Sequence, residues 1–328
     1  MKISKHIEVV RSTIAGLSSM SVASATAIVA SLSKQYTDVI LTMVDTASDL
    51  QQLIDRKPDL VFLGMMYVGD PDDTSKKIWM SERLEAASIL HTGSTQKSHR
   101  LELNKDLAKQ KMLDDGIATA PFSILYRGQK YTDQVDELEF PLFLKPLRGG
   151  GGQGVDEYSV VRTIHQLRDK ILSLHSKNDV DIMIEHYLEG REFSVAIIRK
   201  KGSDDLIAMP LELIAPEDTN GERMLSSKVK SQNQESAIAV INPLEKAALS
   251  AFALSVFRAL GARDYGRIDI RLNAAGEPHF LEANLIPSLI EDYGSFPKAH
   301  KLSEGVEYDE MIATIAELAF TRPLAVHY

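Results

Sequence analysis

Two strand-like runs in "GRIDIRLNAAGEPHFLEANLIPS", residues 266–288, carry oxygen donors where apolar side chains would be expected. Asp269 and Glu282 are acids inside these runs and Asn284 adds an amide; buried acids are costly unless a cation or partner compensates them. Side-chain alternation groups Arg267, Asp269 and Arg271 on one face of the first run, and Phe280, Glu282 and Asn284 on one face of the second. "NAAGEP" reads as a turn, and with Asn273 opposite Pro278 the register brings Asp269 across from Glu282. Two carboxylates and an amide, with no His or Cys, suit Mg²⁺, which accepts phosphate oxygens and waters for the rest of its shell; Mn²⁺ is the alternative ion. Neutralisation of the acids by Arg267 and Arg271 is the competing reading of the hairpin alone.

A second stretch, "LKPLRGGGGQGV", delivers Lys145 from a strand into a loop where Gly149–Gly152 and Gly154 permit backbone shapes that aim N–H groups at an anion. It is not a Walker A loop, which needs Lys-Ser/Thr after its last glycine, and no Rossmann fingerprint precedes it. A lysine on the strand before a glycine loop fits a cover over phosphates. "MIEHYLEGREFSV" adds Glu185 and Glu192 at the two ends of a strand–turn–strand, where solvated acids are the plain alternative.

These groups need a framework. The first ~95 residues alternate strands ("HIEVV", "DVILTMV", "DLVFLG") with helices ("VASATAIVASL", "ASDLQQLID"), the pattern of a parallel α/β unit. A long polar helix is expected over about 98–115, ending at Gly116. A smaller α+β unit follows, with strands "PLFLKP" and "DIMIEHYL" and the helix "TIHQLRDKILSL". Strands resume at "REFSVAII", and "APEDTNGERMLSSKVKSQNQES" is a long polar loop suited to a lid. A helix from Pro243 leads into the hairpin, and a last helix covers about 306–320. The expected division is 1–95, 96–190 and 191–328.

Composition narrows the class. With 328 residues, 44% apolar and 25% charged, the chain reads as a soluble globular protein of two or three domains. Its net charge of −9 disfavours a general nucleic-acid binder. The absence of cysteine excludes disulfides and thiolate chemistry and agrees with a cytoplasmic setting. "STIAGLSSMSVASATAIVASL" is interrupted by serines and reads as loop and helix rather than as a leader, and no run is long enough for a membrane span.

Taken in order, Lys105 on a helix, Lys145 before the glycine loop, "EHYLEGREF", a polar loop with lysines and "GRID…LEAN…P" resemble the ATP-grasp superfamily, and most closely the D-alanine–D-alanine ligase family. The resemblance covers about residues 90–328, and more loosely the N-terminal unit. It implies an ATP-grasp fold, of α/β and α+β class, with an N-terminal parallel α/β (preATP-grasp) domain. It also implies ATP and Mg²⁺ as cofactors, small-molecule carboxylate and amine substrates, and a homodimer.

By resemblance, Lys105 and Lys145 contact ATP phosphates under the backbone of Gly150, Gly151 and Gly152. The segment Glu185, Tyr187 and Leu188 holds adenine, with Leu281 also at the nucleotide, and Glu192 binds the ribose. Lys228 reaches the γ-phosphate, with Lys230 as the alternative. Asp269, Glu282 and Asn284 hold Mg²⁺, and Arg267 stabilises transition-state charge. The implied reaction is amide or peptide bond formation through an acyl phosphate, which needs positioning and charge neutralisation more than a protein nucleophile.

Both amino-acid pockets depart from the family. Its N-terminal loop carries a Glu for the first substrate's ammonium, whereas "GLSSMSVAS" has none; Asp70, Asp72 or Asp73 could replace it or be exposed acids. After Asn284 the chain reads "LIPSLIEDYGSFPK", leaving Ser288 and Ser295 as candidates for the second substrate. The expectation is a ligase for another carboxylate or amine. A D-alanine–D-alanine ligase proper and a non-catalytic ATP-binding protein are the alternatives.

Overall fold

The computed structural model describes residues 1–69, 76–129, 138–178 and 180–322. It opens with β1 (Ile3–Arg11), α1 (Val22–Leu32), β2 (Tyr36–Met43), α2 (Ala47–Arg56) and β3 (Leu60–Leu63), followed by β4 (Tyr67–Val68), β5 (Ile78–Trp79) and α3 (Met80–Ala86). The three longer strands form a parallel sheet in the order β2-β1-β3. Its helices begin where the sequence provides caps: the Ser21 hydroxyl accepts from Ser24 N–H, and Thr46 and Asp49 form a reciprocal capping box.

The middle of the chain holds α4 (Gln96–Leu103), α5 (Lys105–Asp114), β6 (Phe122–Leu125), β7 (Leu142–Pro146), β8 (Val160–Val161), α6 (Ile164–Asn178) and β9 (Ile182–His186). The expected single helix over 98–115 is two. Asn104 breaks it with φ −118° and ψ 87°, and its amide bonds back to the Arg100 carbonyl, a local alternative to the helical ladder. The strands make an antiparallel sheet, β6-β9-β7-β8. Leu142, Leu144, Ile182 and Ile184 pack on α6, so alternation sends Lys145 and Glu185 to the other face.

The remainder is β10 (Glu192–Arg199), β11 (Leu206–Ile214), α7 (Ser227–Ser231), β12 (Ser236–Ala239), α8 (Pro243–Ala259), β13 (Tyr265–Leu272), β14 (Pro278–Asn284), α9 (Ser295–Glu304) and α10 (Tyr308–Phe320). Its five-stranded sheet, β12-β11-β10-β13-β14, is antiparallel. Phe193, Val195, Ile197, Ile268 and Ile270 bury one face against α8. On the other face Ala196 and Met209 join a core that also contains Phe296 of α9, Ile315 of α10 and Ile7 of β1. That shared core fixes the N-terminal sheet beside the five-stranded one. Among the described residues no helix is long and apolar enough to cross a membrane.

The hairpin register differs from expectation in a useful way. Leu272, not Asn273, faces Pro278, and a bulge then lies between the Asp269 and Ile270 pairs. Phe280 therefore faces the α8 core, away from Glu282, while the extra residue, Leu281, restores Asp269 to its place opposite Glu282.

Candidate active site

The two larger sheets turn polar faces toward one cleft. From the four-stranded sheet come Phe143, Lys145 and Glu185; from the five-stranded sheet come Glu192, Asp269, Arg271, Leu281 and Glu282. Lys105, at the start of α5, closes one side and donates to the Gly149 carbonyl, so it tethers the glycine loop. Tyr187 and Leu188, in the connection between the sheets, line the same cleft.

At its floor, Glu185 is buried between two lysines. Lys145 Nζ lies 2.6 Å from Oε1 and Lys109 Nζ 2.9 Å from Oε2. Lys109 also donates to Thr119 Oγ1 at 2.7 Å, and Thr119 donates to the Phe280 carbonyl at 2.9 Å. Burial opposes ionisation of Glu185, but the Lys109 and Lys145 ammonium groups override it and hold its carboxyl down at about 2. Sequence reasoning missed Lys109. Its spacing of i+4 from Lys105 was the available sign, because such residues share a helix face.

On the opposite sheet Asp269 accepts from Ser194 Oγ at 2.9 Å, Arg267 Nη2 at 2.8 Å and Asn284 Nδ2 at 3.3 Å. Arg267 Nη1 also donates to Ser295 Oγ at 3.2 Å. Burial resists the charge on Glu282, yet Lys105, Lys230, Lys145 and Arg267 together keep its carboxyl below the ordinary range. Glu192 is shifted the other way: burial and the nearby Asp269 and Glu282 outweigh Arg271 and Lys230.

The arrangement fits a nucleotide with a divalent ion. Among the described residues no three His, Asp or Glu side chains gather as a self-contained metal cage. Asp269, Glu282 and Asn284 therefore offer two carboxylates and an amide, leaving positions for phosphate oxygens. Lys105, Lys145, Lys230 and Arg267 supply the cationic surroundings that phosphates require.

The structure turns Lys230, not Lys228, into the cleft; Lys228 is exposed on α7. Tyr187 lends its ring to the lining, while its hydroxyl donates to Glu222 and accepts from Arg271. Gly150 and Gly152 line the cleft; Gly151 sits between them with φ +65°. Ser295 joins the Arg267–Asp269 group, whereas Ser288 makes no hydrogen bond to it and instead presents its carbonyl to Gly294. Asp70, Asp72 and Asp73 lie outside the described residues.

Residues 112–317 match the family model described as "D-ala D-ala ligase C-terminus". An uncharacterized protein, y4sG, from Sinorhizobium fredii is 31% identical over 242 residues, spanning 73% of this chain and 69% of that protein. D-alanine–D-alanine ligase from Leptospira interrogans is 29% identical, covering 84% and 78% of the two chains; that from Geobacter sulfurreducens is 26% identical, covering 90% and 88%. In overall shape the chain is similar to D-alanine–D-alanine ligase from Bacillus anthracis complexed with ATP, with TM-score 0.76, 20% identity and coverage of 96% and 97%. The corresponding values for VanG D-Ala:D-Ser ligase from Enterococcus faecalis are 0.68, 19%, 97% and 100%. The chain thus belongs to the D-alanine–D-alanine ligase family of ATP-grasp enzymes, ATP-dependent ligases that form carbon–nitrogen bonds and release ADP.

Proposed function

We propose that this enzyme phosphorylates a small carboxylic acid with ATP and couples the acyl phosphate to an amine. The observation that carries this reading is the meeting of Asp269 and Glu282 across one hairpin, within the charge field of Lys105, Lys145, Lys230 and Arg267.

In this reading Lys105 and Lys145 bind phosphate oxygens under the glycine loop, Lys230 meets the γ-phosphate, and Glu192 takes the ribose hydroxyls. Glu185, Tyr187, Leu188 and Leu281 surround adenine. Asp269, Glu282 and Asn284 would hold Mg²⁺, which when bound neutralises phosphate charge. A substrate carboxylate oxygen attacks the γ-phosphorus and ADP leaves. The amine nitrogen then attacks the acyl carbon, releasing phosphate and a proton. Arg267 stabilises the charge that develops in both steps, and Ser295 orients the acceptor's carboxylate.

The substrates proposed are not the D-alanine pair. Leu17 packs with Tyr67 and Trp79 in the N-terminal loop region, and Asp45, the acid beside that loop, accepts from Ser12 at 2.6 Å and from Thr13 N–H at 2.7 Å. Residues 16–24 of that loop, all among the described residues, contain no acid to pair with an ammonium. The curated relatives support the alternative, D-alanine–D-alanine ligase proper, by their names; membership in a ligase family leaves the non-catalytic reading without support.

The test is ADP release by the purified enzyme against a panel of carboxylates and amines, with mass spectrometry of the products. A new amide from a pair other than D-alanine supports the proposal. Efficient D-alanyl-D-alanine formation would overturn the substrate reading, and ADP release that no carboxylate stimulates would overturn the reaction.

A further inference from the structure

Helix α7 carries Lys230 into the cleft, yet none of its five residues is buried. Something other than apolar packing must set its position. At its start, Ser227 N–H donates to the Gly152 carbonyl at 3.2 Å. At its end, the Tyr293 hydroxyl donates to the Lys230 carbonyl at 2.7 Å. That carbonyl also accepts from Asn233 N–H at 3.1 Å and from Gln232 N–H, both local to the helix end, so the phenol is the donor that ties it to another segment.

Tyr293 is presented from a firm base. Gly294 N–H closes a turn onto the Ile290 carbonyl at 2.8 Å, and a Cβ on Gly294 would stand 2.4 Å from the Ser288 carbonyl, so the backbone is packed tightly there. Phe296, three residues on, is fully buried. Between them Ser295 bonds Arg267. The segment flanking the Arg267–Asp269 group thus reaches across and fixes the backbone of the lysine in the facing loop.

We propose that Tyr293 is a positioning residue, whose hydroxyl holds the Lys230 backbone so that the ammonium meets the terminal phosphate of the nucleotide. The proposal rests on Lys230 as the γ-phosphate lysine of the function proposed above. It implies that loss of one hydroxyl, outside the nucleotide's reach, weakens recognition of the third phosphate alone.

The experiment is calorimetric binding of ADP and of β,γ-imido-ATP, with Mg²⁺, to the intact enzyme and to Tyr293→Phe, Lys230→Met and the double variant. Tyr293→Phe is expected to weaken the triphosphate analogue about fivefold, the effect of one neutral hydrogen bond, with ADP affinity and thermal midpoint unchanged. Lys230→Met should show the same selectivity with a larger loss, and adding Tyr293→Phe to it should change nothing more. A Tyr293→Phe enzyme with unaltered analogue affinity, or with ADP and analogue weakened equally, overturns the proposal. If Lys230→Met also fails to discriminate the two nucleotides, the role of Lys230 itself is refuted.

Discussion

Asp269 stands opposite Glu282 because Leu281 is bulged out of the β13–β14 ladder. Had the register of the turn continued, Leu281 would face Asp269 and Glu282 would point at the α8 core with Phe280. One extra residue thus places two acids together and lets Leu281 line the same cleft. If these acids hold a metal, Asp269→Asn and Glu282→Gln should each lower kcat by about 10²–10³-fold, the loss of several kcal/mol of charge stabilisation. Asp269→Asn should also lower the thermal midpoint, because it leaves the Arg267 guanidinium without its partner at 2.8 Å, so the rate comparison is made well below either midpoint. Initial rates titrated with Mg²⁺ and Mn²⁺ provide the check; wild-type rates in both variants would remove the metal role.

Lys109 is fully buried and spends its charge on Glu185. Removing it leaves a carboxylate in the interior with one lysine fewer. Lys109→Met should therefore cost about 3–5 kcal/mol of stability. Adding Glu185→Gln should recover part of that loss, because the uncompensated acid is gone. Urea unfolding of the three variants decides the matter, and strictly additive losses would contradict the coupling.

The same pair predicts a pH dependence with a definite sign. The Glu185 carboxyl is held at about 2 against an ordinary 4.5, so its contribution is complete above 4.5 and is lost as pH falls toward 2. The stability gap between wild type and Glu185→Gln should be largest near pH 6 and should narrow progressively below pH 4.5. A gap independent of pH would show that Glu185 stabilises by packing and not by charge.

Much of the site was legible because its residues are polar where burial is expected. Lys145, Glu185, Asp269 and Glu282 all stand in strands whose other face is apolar, and period-two alternation predicts their common orientation. The bulge at Leu281 was not legible, because a ladder irregularity arises from pairing geometry and leaves no mark such as glycine in "HFLEAN". The break at Asn104 was missed for a related reason: flanking residues all favour helix, and only the Asn side chain competes. Helix α9 had signals that went unread, Pro297 in its first turn and Gly305 just past its end. Which lysine of "SSKVK" enters the cleft depended on α7, a single short helix whose phase is set by its neighbours Gly152 and Tyr293.

The glycine loop itself yields a discriminating pair of substitutions. Gly152 has φ +75°, and a Cβ there would stand 2.6 Å from the Leu225 carbonyl oxygen and 2.7 Å from Ser227 N. Gly150 has no positive φ, and its Cβ would meet nothing within 4 Å. Gly152→Ala must therefore push the loop away from α7, whereas Gly150→Ala has room. The expected result is a rise of about tenfold or more in KM for ATP with Gly152→Ala, a clash and strain together exceeding 1.4 kcal/mol. Gly150→Ala should stay within about twofold of wild type. Trypsin cleavage at Lys228 and Lys230 offers an independent reading: with nucleotide present, Gly152→Ala should be cut faster than either wild type or Gly150→Ala. Equal KM values and equal cleavage in the two variants would mean that the loop and α7 act separately, and that the contact between them does not contribute to binding ATP.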